Sequence, residues 1–235
     1  MIKAAGTGPP DAPHAVSTLC EIYSKPIVSY ILSLGYSQDE ALDLSQAFFL
    51  RLLENDFFAS ISEEGGKFRT YLKKSIRNFL HYKWKMTQAQ KREGSGARAD
   101  IDSSEISSNR DDERQDAIFD REWVLKLISV SLDRVRDDWA IRGNSDLFAE
   151  LVPHLTRTVK PRKYGEIAEL LSISETAVRK RAERLRKQFS AEFRRIVLET
   201  IDPASDQDLE TELRDLRAVF EPRNMSHLAA KGVYR

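Results

Sequence analysis

The chain holds one cysteine, Cys20, and four histidines among 235 residues. One thiol cannot close an internal disulfide, which fits a reducing compartment. So few scattered cysteines and histidines leave no zinc-type ligand set, and no metal is expected. Long apolar runs are missing too, since no stretch approaches the roughly 20 residues that a membrane span requires. The opening MIKAAGTGPPDAPHAVST lacks the apolar core of a secretory leader, so a cytoplasmic protein without membrane insertion is expected. Absent as well are a phosphate-cradling glycine loop, paired metal ligands and a Ser/His/Asp constellation; neither an enzyme nor a cofactor site is expected. No strand alternation, hairpin signal or internal repeat is present. What remains is helical periodicity, and the expected fold is all-α.

Formal net charge is zero, but the charges are segregated. Residues 67–98 carry ten Lys/Arg against one acid, and 99–122 then carry nine acids against three bases. Residues 157–195 return to twelve bases against five acids, and 199–221 swing back to eight acids against two bases. Two basic blocks on amphipathic helices point to two polyanion-binding surfaces.

Composition divides the chain. Residues 1–18, with Gly6, Gly8, Pro9, Pro10 and Pro13, read as a disordered tail. Residues 19–92 form a first helical domain. Residues 93–117, rich in Gly, Ser and acids and nearly free of large apolar side chains, read as an acidic flexible linker. A second helical domain covers 118–201. Pro203 then breaks the chain, and residues 202–235 form a C-terminal extension with one short amphipathic helix over 208–220.

The sharpest local signal lies at residues 163–189. Tyr164 to Leu171 predicts a short helix with Ile167, Leu170 and Leu171 to one side, and Ser172-Ile173-Ser174 predicts a turn whose last serine caps the next helix. Val178, Ala182, Leu185 and Phe189 then recur at four, three and four residues, an apolar stripe opposite a basic face. This is helix-turn-helix geometry, whose second helix offers its first turns to base edges in the major groove. Glu175, Thr176, Arg179 and Lys180 are the expected base or near-base contacts, and Arg181, Arg184 and Lys187 the phosphate contacts.

The other basic helix, over 67–92, sets Phe68, Tyr71, Leu72, Phe79, Tyr82 and Met86 on one side. Lys73, Lys74, Arg77, His81 and Lys85 lie on the other, with Trp84 among them. Bases of a single strand stack on an aromatic while cations follow its backbone, and Asn78 can read a base edge. The preceding helix, 38–54, reads as apolar on two faces: Leu42, Phe49 and Leu53 on one, Leu44 and Phe48 on the other. A second apolar face in so small a domain calls for a partner.

These pieces together, EALDLSQAFFLRLLE (40–54), FRTYLKKSIRNFL (68–80) and YGEIAELLSISETAVRKRAERLRKQF (164–189), resemble the extracytoplasmic-function sigma factors of bacterial RNA polymerase. The C-terminal extension resembles that of a planctomycete-type branch. The resemblance implies a region 2-like bundle at 19–92 and a region 4-like bundle at 118–201, with core RNA polymerase (β′ clamp helices and β flap) and promoter DNA, duplex and melted, as partners. It implies core-polymerase docking through Asp43, Gln46, Phe49, Leu50 and Leu53, to which the second apolar face adds Leu44 and Phe48. It implies −10 element contacts from Arg69, Lys73, Lys74, Arg77, Asn78, His81, Trp84 and Lys85, and −35 element reading by the helix-turn-helix.

The chain departs from the family where Leu42 replaces a second acid beside Asp43, where Ala47 follows Gln46, and at Tyr71 and Tyr82. An anti-sigma factor is the regulator that the resemblance implies, and the reduced acidity near Asp43 suggests a Ser/Thr kinase that restores negative charge there, with Ser45 or Ser37 as the modified residue. The alternative reading is a stand-alone helix-turn-helix repressor or activator that does not engage polymerase.

Overall fold

A computed structural model describes residues 12–54, 68–95, 109–156, 160–200 and 206–219. Every regular element among them is a helix: α1 (Ala12–Ser33), α2 (Gln38–Glu54), α3 (Phe68–Ser95), α4 (Asn109–Ile141), α5 (Ser145–Leu151), α6 (Pro153–Thr156), α7 (Tyr164–Leu170), α8 (Glu175–Thr200) and α9 (Asp206–Ala218). The all-α expectation therefore holds for the described residues. The chain divides into two compact units, one of Met1–Lys126 with Leu198–Arg235 and one of Leu127–Val197.

These bounds differ from the expected ones in three ways. Helix α1 begins at Ala12, inside the segment read as tail. Residues 93–95 and 109–117, read as linker, are helical, leaving only 96–108 of that stretch outside the described residues, as are 1–11 of the tail. Residues 118–126 and the C-terminal helix belong to the first unit rather than to the second domain or a separate extension. The cause is ion pairing: a segment poor in apolar side chains reads as linker, but its carboxylates meet cations on α3.

The core of the first unit is aromatic. Tyr23 of α1 lies edge-on to Phe68 of α3 at 5.2 Å between ring centres, and stacks at 6.1 Å with Trp123 of α4. Phe119 stacks on Tyr23 and meets Tyr30 edge-on. Burial pushes the Tyr23 phenol far above its ordinary range. Leu209, Leu213 and Leu216 give α9 a buried row at helical spacing. Between α9 and α3 sits a buried charge cluster: Arg69 meets Asp120 at 3.1 Å and Glu212 at 2.8 Å, and its guanidinium lies 4.9 Å from the Trp123 ring centre.

Helix α2 starts at a reciprocal cap. The Ser37 amide donates to Glu40 at 2.9 Å, while the Glu40 amide donates to the Ser37 hydroxyl at 3.4 Å. The two bonds from Ser37 hold the Glu40 carboxyl below its usual range. The inward row of α2 is Ala41, Ser45, Phe48 and Leu52.

The second unit packs Val135 and Trp139 of α4 against Leu147, Phe148 and Leu151, Ile167 and Ala168, and Val178, Ala182 and Leu185 of α8. Trp139 Nε1 donates to Gln188 at 2.7 Å, and Gln188 Nε2 donates to Asp138. The indole N–H that the tryptophan brings inward is thus satisfied, and its acceptor is held in turn by Asp138.

Two substitutions test whether α9 is part of the first unit's core. Leu216→Ala is expected to cost about 2–5 kcal/mol as a buried large-to-small change. Glu212→Ala is expected to cost about 3–5 kcal/mol, because it strips one partner from a buried cation. Urea unfolding followed by tryptophan fluorescence measures both, and losses under about 1 kcal/mol would place α9 outside the core.

Candidate nucleic-acid interface

The helix-turn-helix is built from α7, the turn at 171–174, and α8. Helix α7 closes through a left-handed residue: the Ser172 amide donates to the Glu169 carbonyl, the Ile173 amide to the Ala168 carbonyl, and Ser172 has φ 53°. This is the helix-end position where glycine is usual, because a side chain there crowds the backbone. The Ser174 hydroxyl accepts from the Ala177 amide at 3.2 Å, the expected cap of α8. Val178, Ala182 and Leu185 are buried as expected, whereas Leu170 turns outward at 54% exposure and Ala168 takes the inward place.

On the outer face of α8, Thr176, Lys180, Glu183 and Lys187 form one exposed row at helical spacing. Glu183 pairs with Lys187 at 2.8 Å, so the acid that would repel a phosphate is tied to a cation of the same row. Each of these pairing partners steadies the other's charge: the Glu183 carboxyl is held low and the Lys187 ammonium high. Arg179 flanks the row on one side. Its guanidinium donates two bonds to Glu175 and lies 5.3 Å from the ring centre of Tyr164. Arg181 and Arg184 flank it on the other side, where they share a small depression with Arg142 and Asn144. Arg181 donates to Asn144, and Arg142 pairs with Asp138 at 2.8 Å.

Residues that pattern reading passed over therefore hold these cations in place. Tyr164, the first residue of α7, supports Arg179 by its ring and accepts from Arg186 at 2.8 Å. Arg142 and Asn144 bracket Gly143, whose φ of 67° ends α4. The Gly-Asn pair in the sequence is a turn signal, and an arginine beside it on the basic side was the available clue.

In the first unit, seven of the eight expected contacts on α3 separate into two sets, and the eighth, Trp84, is half-buried. Lys74, Asn78 and Lys85 are exposed, with the half-buried His81 in the same row. Arg69 is buried, and Lys73 and Arg77 are engaged by carboxylates: Lys73 by Asp116 at 3.4 Å and Asp120 at 3.1 Å, Arg77 by Asp112 at 3.6 Å and Asp116 at 3.2 Å. Arg69 is thus corrected from a surface contact to a core residue, since two carboxylates and an indole satisfy it inside. An open cleft of about 400 Å³ lies beside these cations, lined by Tyr30, Tyr36, Arg77, Asn78, His81 and Trp84 among others. The His81 and Trp84 rings stack at 6.4 Å.

Of the expected docking residues on α2, Asp43, Gln46, Leu50 and Leu53 lie on one exposed face with Leu42, and Leu50 is 60% exposed. Leu44 and Phe49 are half-buried. Phe48 is corrected: it is buried against Phe79 at 5.5 Å between ring centres and is not available to a partner. Ser45 is buried too, which removes it as a site of phosphorylation, and the Ser37 hydroxyl is committed to the cap of α2. Among the described residues no helix is long and apolar enough to cross a membrane, and no cluster of His, Cys, Asp or Glu is arranged to hold a metal.

Compared with models of known families, with characterised proteins and with solved structures, the chain finds no match.

The turn chemistry gives a direct test. Ser172→Gly is expected to stabilise the protein by about 0.5–1 kcal/mol, by relieving the left-handed serine. Ser172→Val is expected to cost about 1–3 kcal/mol, because a β-branched side chain is strained there. Thermal unfolding by circular dichroism should rank the three proteins Gly above Ser above Val, and any other order would show that the turn does not carry this strain.

Proposed function

We propose that the chain is a bacterial RNA polymerase sigma factor of the extracytoplasmic-function type, acting in the cytoplasm. In this reading it catalyses nothing itself. It binds core polymerase through α2, holds melted promoter DNA of the −10 element on α3, and reads the −35 element with α8.

The observation that carries the reading is the helix-turn-helix with its braced outer row. Thr176 and Lys180 project from the first turns of α8, the part of a recognition helix that reaches base edges, while Arg181, Arg184 and Lys187 lie further along or to the side, where phosphates run. Arg179 is stiffened by Glu175 and Tyr164, so less side-chain freedom is lost when it meets DNA. The exposed leucines of α2 favour a sigma factor over a repressor. Leu42, Leu50 and Leu53 are 42%, 60% and 44% exposed around Asp43 and Gln46, an apolar patch with polar members that suits a protein partner. The aromatic cleft beside Asn78 and Trp84 supplies a platform for an unstacked base. Such stacking is worth roughly 1–3 kcal/mol per base, which offsets a few kcal/mol of unstacking.

Reconstitution with purified core RNA polymerase tests the proposal. Co-elution in size-exclusion chromatography and a run-off transcript that depends on this chain are expected. Leu50→Asp with Leu53→Asp should abolish co-elution while leaving duplex binding intact. Lys180→Ala should cost about 1–3 kcal/mol of promoter affinity and relax selectivity at one base pair, whereas Lys187→Ala should weaken all sequences alike. Tight dimeric binding to duplex DNA with no association with core would instead identify a repressor.

A further inference from the structure

The two central cations of α3 already hold a polyanion, and it is part of the same chain. Asp112, Asp116 and Asp120 recur every fourth residue on α4, and Arg69, Lys73 and Arg77 recur every fourth residue on α3. The two rows run in opposite directions. Lys73 therefore sits between Asp120 and Asp116, and Arg77 between Asp116 and Asp112, at 3.1–3.6 Å. Four residues of α-helix advance about 6 Å, a spacing of the same order as that between neighbouring phosphates of an extended strand. The carboxylates thus stand on the cations much as successive phosphates would.

The two ends of this row are held very differently. At the Asp120 end, Phe119 and Trp123 are fully buried, and Arg69 is locked by Asp120 and Glu212. At the other end the side chains of Asp112, Asp116 and Arg77 keep 25%, 32% and 41% of their surface in water. Pairs so open to solvent contribute little each and weaken with salt. Apart from Gln115, no residue from 112 to 118 is buried. That stretch is fastened mainly by charge.

We propose that residues 112–118 of α4 are an internal clasp, whose Asp112 and Asp116 occupy the nucleic-acid site of α3 and are displaced when a single strand binds. Displacement frees Lys73 from Asp116, releases Arg77 from its two carboxylates while Tyr30 still holds it, and removes Asp112 and Gln115 from the wall of the aromatic cleft. Arg69 stays behind as a fixed core residue. The inference rests on α3 being a nucleic-acid surface, but not on any contact with polymerase.

A fluorescent oligothymidylate of about 15 nucleotides is the probe, titrated by anisotropy against the full chain at low salt. Asp116→Asn removes the carboxylate shared by both cations, and Glu113→Gln removes an exposed carboxylate from the same helix. Asp116→Asn is expected to tighten binding about tenfold, with a salt slope steeper by up to about 1.4, at about 0.7 per phosphate neutralised on a single strand. Glu113→Gln should change affinity less than about twofold, as a surface charge outside the site. Adding Lys73→Ala and Arg77→Ala to Asp116→Asn should cancel the gain. In the wild-type chain, saturating oligonucleotide should speed amide exchange across 112–118.

Equal gains from Asp116→Asn and Glu113→Gln would overturn the clasp, as would unchanged exchange at 112–118 in a chain that does bind the probe. In either case the nucleic-acid reading of α3 stands. No binding by any variant would overturn both.

Discussion

A single buried guanidinium organises the first unit. Arg69 enters the core from α3 and is met by Asp120 of α4, Glu212 of α9 and the ring of Trp123. Such a cluster adds little net stability, since stripping water from several charges costs about what their attraction returns. Its effect is on register. Without α9 the cation would lose Glu212, and if α4 slid one turn so that Val124 faced it, it would lose Asp120. Because the acids of α4 repeat every fourth residue, a slide the other way would still offer it Asp116, and there the aromatic contacts of Tyr23, Phe68, Phe119 and Trp123 decide the alignment. With the alignment set, the four-residue repeats on α3 and α4 fall opposite one another along their length.

In the second unit the corresponding work is done by neutral polar groups. Gln188 satisfies Trp139 and reaches Asp138, which also holds Arg142. A chain of side chains therefore runs from the core to an arginine beside Arg181 and Arg184 of α8. Tyr164 does the same for Arg179 and Arg186 from the other side. The cations of α8 are not loose on the helix. They are positioned by residues whose own places are set by packing.

Local patterns were legible in the sequence and pairings were not. The helix-turn-helix could be read because the Ser174 cap, the turn and the Val178–Ala182–Leu185 stripe all lie within a few residues of one another. The amphipathic row of α9 was equally visible, but periodicity names a face and not what it packs against, so its place in the first unit was hidden. The acidic stretch before Ile118 reads as linker because it lacks apolar side chains. Its helix depends on cations some forty residues earlier, and composition cannot show that two runs of opposite charge will lie antiparallel. On α2, two rows compete: Leu42, Phe49 and Leu53 look as apolar as the row that is buried. Ala41 and Ser45 decide the outcome, because small side chains let the helix approach its neighbours closely, and a pattern search for large apolar residues overlooks them.

The partnership of Arg69 with Glu212 also bears on how the protein is made. A ribosome extends the chain at about 5–20 residues per second, so Glu212 is synthesised on the order of ten seconds after Arg69. Throughout that interval α1, α2 and α3 can collapse around their aromatic rings, yet the cation between them has no Glu212 and the groove for Leu209, Leu213 and Leu216 is empty. The first unit begins to fold early and closes late, while the second unit, whose last residue is Val197, can finish first. The nascent chain therefore carries an open apolar seam for seconds, until Leu209, Leu213 and Leu216 fill it.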